Sequence, residues 1–198
     1  RPPRSALLPY TTLFRSSYNI GTEVSLFSPQ GADRGTVAML RHADFTPEDK
    51  VLDLGCGTGI VSLAACCFGV SPSNITMTDI DPAACECSRK NMKANGFEGA
   101  LVVCGDALEA VTDKGYTVIL SNPPYHTDFK VAKTFIEKGF NRLAVGGRML
   151  LVTKRKDWYK NKMISVFGGV RIFEEDGYFI FMSTKKSDSY AKKGNKKK

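Results

Sequence analysis

The chain has 198 residues, 42% of them apolar, and a formal net charge of +8, which suits one domain with a substantial core rather than several domains or a disordered polymer. No apolar run approaches the roughly 20 residues that cross a bilayer as a helix, and no repeat of fixed period is visible. Six cysteines fall inside predicted strands, helices and a glycine turn, only two histidines are present and no Cys-x-x-Cys pair occurs, so a disulfide framework and a zinc site are both disfavoured and a cytoplasmic protein without metal is expected.

The first sixteen residues stand apart. Leu8-Pro9-Tyr10-Thr11-Thr12-Leu13-Phe14-Arg15-Ser16 resembles the translation of a sequencing-library adapter, so residues 1–16 are expected to be non-native, with native sequence resuming near Ser17. A single domain is then expected over 17–184. The lysine-rich segment 185–198 is expected to be a mobile tail that adds no sequence-specific contact. Within the domain, Phe27-Ser28-Pro29-Gln30-Gly31-Ala32-Asp33-Arg34-Gly35 leads into a helix expected over about 32–42.

Val51-Leu52-Asp53-Leu54-Gly55-Cys56-Gly57-Thr58-Gly59-Ile60 reads as a buried strand and a glycine turn, followed by a helix over about 60–68. Glycine lets the backbone approach a ligand closely. A dinucleotide fingerprint would need glycine at position 60 or 62, where Ile60 and Ser62 stand, and no Gly-Lys-Ser/Thr closes a phosphate loop. What remains is Asp-x-Gly-x-Gly-x-Gly. A carboxylate at Asp53 repels a pyrophosphate and attracts a sulfonium or an ammonium, and S-adenosylmethionine carries both cations.

The next strand, about 74–79, ends in Asp79, where folds of this kind place a ribose-binding carboxylate; Ile80 joins it as a cofactor-binding position. Asp81 followed by Pro82 reads as the N-cap and first residue of a helix over 82–95. A third strand, about 100–104, ends at Asp106, which can accept a hydrogen bond from adenine's amino group. Ala107 is added to the cofactor set, and a short helix is expected near 107–111. Each acid could instead simply cap a helix.

A fourth strand, about 116–120, runs into Ser121-Asn122-Pro123-Pro124-Tyr125. Two prolines lack N–H groups and hold φ near −65°, so this turn is stiff and its carbonyls are left as acceptors. The Asn122 side-chain oxygen and the Pro123 carbonyl can each take one hydrogen of an exocyclic amine, while Tyr125 offers its face to a planar ring. A rigid loop with a core-packed tyrosine is the alternative. Beyond it come a helix over 129–144, Gly146-Gly147, a strand over 148–153, a helix over 157–167, and an antiparallel hairpin of 170–173 and 178–183 joined through 174–177. This alternation of strands and helices predicts an α/β sheet, with Asp53, Asp79, Asp106 and Asn122 gathered at the carboxyl ends of its strands. Charge divides accordingly: residues 17–120 carry seven basic and thirteen acidic side chains, a net −6, and residues 121–184 carry eleven and six, a net +5. An acidic cofactor half and a basic half facing phosphate backbone would show this polarity.

Four segments taken together resemble a known family. They are Phe27 to Gly35 (with Ala32 in place of the usual leucine), Asp53 to Gly59, Ser121 to His126 (tyrosine in place of the usual phenylalanine), and Lys154-Arg155-Lys156-Asp157-Trp158-Tyr159 with Ile164 to Gly168 (Lys154 in place of the usual asparagine). The chain from about 20 to 184 is similar in these to class I S-adenosylmethionine-dependent methyltransferases of the small-domain family that includes ribosomal RNA guanine-N2 methyltransferases of the small subunit. The resemblance implies a Rossmann-like, seven-stranded, mostly parallel sheet with an antiparallel last strand and helices on both faces. It implies S-adenosylmethionine as cofactor, S-adenosylhomocysteine as product, and RNA, either ribosomal RNA or a small ribosomal subunit, as partner. Asn122, Pro123 and Tyr125 would act on a guanine turned out of its helix. Asp53, Gly55, Gly57, Gly59, Asp79, Ile80, Asp106, Ala107 and Asn122 would hold the cofactor. Lys154, Arg155, Lys156 and Lys160 would hold phosphates, with Trp158 packed in the core. Adenine N6 and glutamine amide acceptors share the Asn-Pro-Pro-Tyr motif and stay open, as does a non-catalytic RNA-binding domain on the same fold.

Overall fold

A computed structural model describes residues 33–106, 111–124 and 129–191. Seven strands form one sheet: β1 (Val51–Leu54), β2 (Ile75–Asp79), β3 (Leu101–Cys104), β4 (Tyr116–Ser121), β5 (Leu143–Thr153), β6 (Arg171–Glu175) and β7 (Tyr178–Thr184), in the order β3-β2-β1-β4-β5-β7-β6. The pairs β1 with β2, β2 with β3, β1 with β4 and β4 with β5 are parallel. Strand β7 lies antiparallel between β5 and β6. This is the seven-stranded, mostly parallel sheet with an antiparallel last strand that the resemblance implies.

Parallel strands must be covered on both faces, which is why β1 is apolar at three of its four positions and buried at every one. Successive side chains point to opposite faces. Val51 joins a core with helices α1 (Arg34–Leu40), α2 (Ile60–Cys67) and α3 (Pro82–Ala94), through Met39, Leu63 and Met92. Leu52 and Leu54 join a second core with α4 (Phe129–Arg142) and α5 (Lys156–Phe167), through Ile136, Phe140 and Met163. Asp81 caps α3 as expected, accepting from the Ala83 N–H at 2.8 Å with Pro82 in the first turn.

Three boundaries differ from the sequence reading. The helix expected to reach 144 stops at Arg142, because Leu143 already pairs with Tyr116; the register then shifts before Val118 pairs with Arg148. Gly147 lies inside that irregularity, where a Cβ would meet the carbonyl oxygens of Ala144 and Tyr116 at 2.9 Å. In the hairpin, Glu174 and Glu175 belong to β6 and pair with Phe179 and Tyr178, leaving a two-residue turn, Asp176-Gly177, with φ of 50° and 77°. Two positive φ values match the twist of the flanking strands. Glu175 is also held in the strand by an ion pair with Arg41 at 3.0 Å and a hydrogen bond with His42 Nε2 at 2.7 Å.

The third difference is the segment expected to be a mobile tail, whose first residues are instead built into the fold. Lys185 is 4% exposed; its ammonium donates to the Leu143 carbonyl at 2.8 Å, pairs with Asp188 at 3.0 Å and lies 4.9 Å from the centre of the Phe140 ring. Tyr190 packs edge-on against Phe140, and the Ala191 N–H donates to the Val166 carbonyl. The short helix expected near 107–111 falls almost wholly outside the described residues. Residues 107–110 lie outside them, as do 192–198, and Val111 is buried but not helical. Among the described residues no helix is long and apolar enough to cross a membrane, and no group of three or more His, Cys, Asp or Glu side chains is placed to hold a metal ion.

Candidate functional site

The carboxyl ends of β3, β2, β1 and β4 stand side by side, so Asp106, Asp79, the glycine turn and Asn122 follow one another along a single edge although they are far apart in sequence. Adjacent strands lie roughly 4.8 Å apart, so this edge is roughly 14 Å long. The turn after β1 continues the ladder, with Gly55 and Cys56 donating to the Thr78 carbonyl at 2.8 and 3.0 Å. Gly57 then donates to Asp79 Oδ2 at 2.9 Å, and Asp81 donates its N–H to Asp79 Oδ1 at 3.0 Å. Asp79 therefore pins the turn to the end of β2, and each carboxylate oxygen keeps a lone pair for a hydroxyl.

The three glycines of the turn all have positive φ, at 73°, 52° and 82° for Gly55, Gly57 and Gly59. They are not equivalent. A Cβ on Gly59 would strike the Met77 methyl at 2.8 Å and the Ser88 backbone at 3.3 Å, whereas a Cβ on Gly57 would meet nothing within 4 Å among the described residues. Gly59 is needed for packing of α2 on β2 and α3, and Gly57 leaves open space above the backbone where a ligand can approach. Beside that space Ile80 is 74% exposed, an apolar surface with no core to fill. Asp106 is exposed.

Asp53 is placed differently from the other acids. It is 1% exposed, beneath the turn, and Ser62 Oγ on α2 donates to its Oδ2 at 2.9 Å. Burial pushes its carboxyl up to about 7, against the pull of the Ser62 bond and with a further push from the charge of Asp79. Its influence on a cationic ligand would act through the turn. Cys56 is buried too, and burial raises its thiol far above the ordinary range, so it is no nucleophile.

At the end of β4, Ser121 donates to the Leu54 carbonyl at 2.7 Å, which locks the strand end against β1. Asn122 follows. Its Nδ2 donates to Asp33 Oδ2 at 2.8 Å and to Thr36 Oγ1 at 3.1 Å. A carboxylate only accepts, so the amide nitrogen must be the atom facing Asp33. Asn122 Oδ1 is buried and has no hydrogen-bond partner among the described residues. Pro123 is buried and Pro124 exposed. Tyr125, His126, Ala107 and residues 27–32 lie outside the described residues.

The sequence reading passed over Asp33 and Thr36 as partners of Asn122, and Ser62 as partner of Asp53. Asp33 carried one local signal, since Asp-x-x-Thr before an apolar run is a helix-start pattern. It does cap α1, accepting from the Thr36 N–H at 3.0 Å. Its second bond, to a side chain 89 positions away, had no signal in the sequence.

The basic segment after β5 stands at the same edge of the sheet. Lys154, Arg155 and Lys156 each lie over an aromatic ring, at 4.9 Å from Tyr178, 5.0 Å from Phe129 and 4.9 Å from Phe179. Lys156 also pairs with Glu174 at 3.8 Å. Lys160 is exposed one helical turn beyond Lys156 on α5. Trp158 stacks on Phe129 at 4.3 Å and packs against the second core. The Tyr178 ring also presses on Gly35, where a Cβ would come within 2.7 Å, so the basic segment and the start of α1 share one support. A groove of about 460 Å³ is lined by Arg34, Val37, Arg41 and Asp176.

Comparison with known proteins gives a consistent picture. The family described as methyltransferase small domain matches residues 17–183. The ribosomal RNA small subunit methyltransferase C of Pseudomonas putida (strain GB-1) is 34% identical over 164 residues, covering 80% of this chain and 48% of the relative; the protein of the same name from Cronobacter sakazakii is 34% identical over 165 residues, covering 81% and 47%. The chain thus spans about half the length of the curated relatives it matches. Among solved structures, a 16S rRNA N2 methyltransferase from T. thermophilus in complex with AdoMet and guanosine superposes with a TM-score of 0.73 at 24% identity, over 81% of this chain and 45% of that one.

Proposed function

Since the chain belongs to the methyltransferase small domain family, we propose that it transfers a methyl group from S-adenosylmethionine to an exocyclic amine of an RNA base, with guanine N2 of small-subunit ribosomal RNA as the acceptor. The observation that carries this reading is the Asn122 carboxamide, whose NH2 is tied to Asp33 and Thr36 and whose oxygen is buried without a partner among the described residues. An unsatisfied buried acceptor costs about 1–3 kcal/mol. A donor that arrives with a substrate accounts for it, and an exocyclic amine is such a donor. The names of the curated relatives support RNA, and the basic segment over Tyr178, Phe129 and Phe179 supports phosphate contact at the same edge.

The residues fit the cofactor. The space over Gly57, the Asp79 carboxylate and the exposed Ile80 suit a close backbone approach, a ribose and an adenine face respectively, with Gly55, Gly59, Asp106 and Ala107 completing the set. When bound, S-adenosylmethionine would supply a methyl on a positively charged sulfur, to be taken up by the amine lone pair with loss of the carbon–sulfur bond, leaving S-adenosylhomocysteine and a proton released to water. Asn122 Oδ1 and the Pro123 carbonyl hold the two hydrogens of the amine, turning its lone pair away from the ring and toward the methyl. Asn122 has no useful basicity, so its role is orientation. Tyr125 stacks on the base, and Lys154, Arg155, Lys156 and Lys160 hold the flanking phosphates.

The test is incubation of the chain with radiolabelled S-adenosylmethionine and, in parallel, small ribosomal subunits, their deproteinised RNA, transfer RNA and release factors, followed by mass analysis of the labelled product. N2-methylguanosine from either ribosomal sample is expected. Label on adenine N6 or on a glutamine side chain would replace the acceptor, and no label on any of them, with cofactor bound, would leave an RNA-binding domain.

A further inference from the structure

We propose that Asp33 is a positioning residue for the transfer step: it dictates which end of the Asn122 carboxamide faces the acceptor amine and keeps a negative charge behind it. The inference rests on the function proposed above for Asn122. An asparagine amide has two ends of nearly equal size and opposite hydrogen-bonding sense, and only one of them, the oxygen, can receive a hydrogen from an amine. A rotation of the amide by half a turn would present NH2 to NH2. Asp33 Oδ2, 2.8 Å from Asn122 Nδ2, forbids that rotation, because the reversed amide would set its oxygen against a carboxylate. Thr36 Oγ1 at 3.1 Å takes the other Nδ2 hydrogen. Thr36 alone would not suffice, since a hydroxyl accepts or donates and would tolerate either orientation.

Asp33 is itself held. Its Oδ2 accepts from the Thr36 N–H at 3.0 Å as the cap of α1. Gly35 sits against the Tyr178 ring with no room for a side chain, which sets the start of the helix against β7. The same carboxylate oxygen thus serves the helix and the amide. The charge adds to the geometry. A hydrogen bond to an ionised acceptor polarises the amide and makes Oδ1 more negative, and positive charge builds on the amine nitrogen as its lone pair is used. That stabilisation is absent before reaction, so it acts on turnover rather than on binding.

Two variants separate this role from helix capping. Serine caps as well as aspartate but is too short to reach Asn122, and asparagine caps and reaches but is neutral and can itself reverse. With small-subunit ribosomal RNA as acceptor, Asp33→Ser is expected to keep its melting temperature and its calorimetric affinity for S-adenosylmethionine, and to lose on the order of 10²-fold in kcat with KM little changed. Asp33→Asn should recover part of that loss. Independently of turnover, the side-chain NH2 resonances of Asn122, identified by their disappearance in Asn122→Ala, are expected to be protected from solvent exchange in the wild type and to lose that protection in Asp33→Ser. Asp33→Ser with wild-type kcat, a loss confined to KM or cofactor affinity, or unchanged Asn122 protection would each overturn the proposal. Should the wild type transfer to no acceptor, the functional reading falls, and the Asn122 resonances alone decide for or against Asp33.

Discussion

Ser62 on α2 donates its hydroxyl to the carboxylate of Asp53 on β1 at 2.9 Å, a bond to an acid that is 1% exposed. The consequence is a pH-dependent stability. Burial raises the Asp53 carboxyl from 3.8 to about 7, so the folded state keeps a proton that the unfolded chain releases. The stability associated with that proton is fully present below pH 3.8 and is lost as pH rises toward 7 and beyond. Asp53→Asn keeps the Ser62 bond without the charge. Its melting temperature should match the wild type near pH 4 and exceed it increasingly up to about pH 8, by a free energy on the order of 4 kcal/mol. A difference that does not grow with pH would contradict this placement of Asp53.

The contrast between Gly57 and Gly59 predicts two distinct defects. Both have positive φ, so alanine costs about 1 kcal/mol of backbone strain at either. At Gly59 the new Cβ must also displace the Met77 methyl and press on the Ser88 backbone, adding about 1–3 kcal/mol. Gly59→Ala should unfold at clearly lower temperature than Gly57→Ala. Gly57→Ala should keep most of its stability and lose cofactor affinity, because its methyl enters the space over the turn. Calorimetry with S-adenosylmethionine and thermal melts of both variants check this.

Asn122→Ala should separate turnover from stability. The variant removes a buried oxygen that has no partner among the described residues and, at the same time, two donors to Asp33 and Thr36. These effects oppose each other, so the melting temperature should move by no more than about 5 °C. Cofactor affinity should be kept and kcat should fall on the order of 10²-fold or more. Unchanged turnover would remove the proposed mechanism.

The basic segment should show itself in salt dependence. Removing one side chain that holds a phosphate lowers the slope of log affinity against log salt by about one. Lys154→Ala and Arg155→Ala should each do so. Lys156→Ala should do less, because Glu174 already pairs with that ammonium at 3.8 Å. Filter binding of small-subunit ribosomal RNA over a salt series measures it; equal slopes in all three variants and the wild type would place the RNA elsewhere.

Much of the fold was legible because its signals are local. The strand, the turn Gly55-Cys56-Gly57-Thr58-Gly59 and the helix after it, Asp81 before Pro82, and the buried run into Ser121-Asn122 each declare their structure within a short stretch of chain. Errors fell where pairing across the sheet overruled local character. Glu174 and Glu175 look like turn residues but are strand residues opposite Phe179 and Tyr178, and Lys185 looks like tail but is buried against Phe140. Asp53, Asp79 and Asp106 were each given a ligand contact, but the difference in burial between Asp53 and Asp79 was not legible, since both stand in strands that are buried along most of their length.

The sequence by itself determined an alternating α/β chain with a glycine turn and a stiff amide-proline turn at strand ends, because hydrophobic period, proline and glycine act over a few bonds. Only the tertiary structure decided that Asp53 is sealed beneath Ser62 while Asp79 faces the turn, and that Asp33 reaches across 89 positions to orient Asn122. Burial and hydrogen bonds between distant segments are properties of how strands are ordered in a sheet, and strand order is set by the packing of both faces at once.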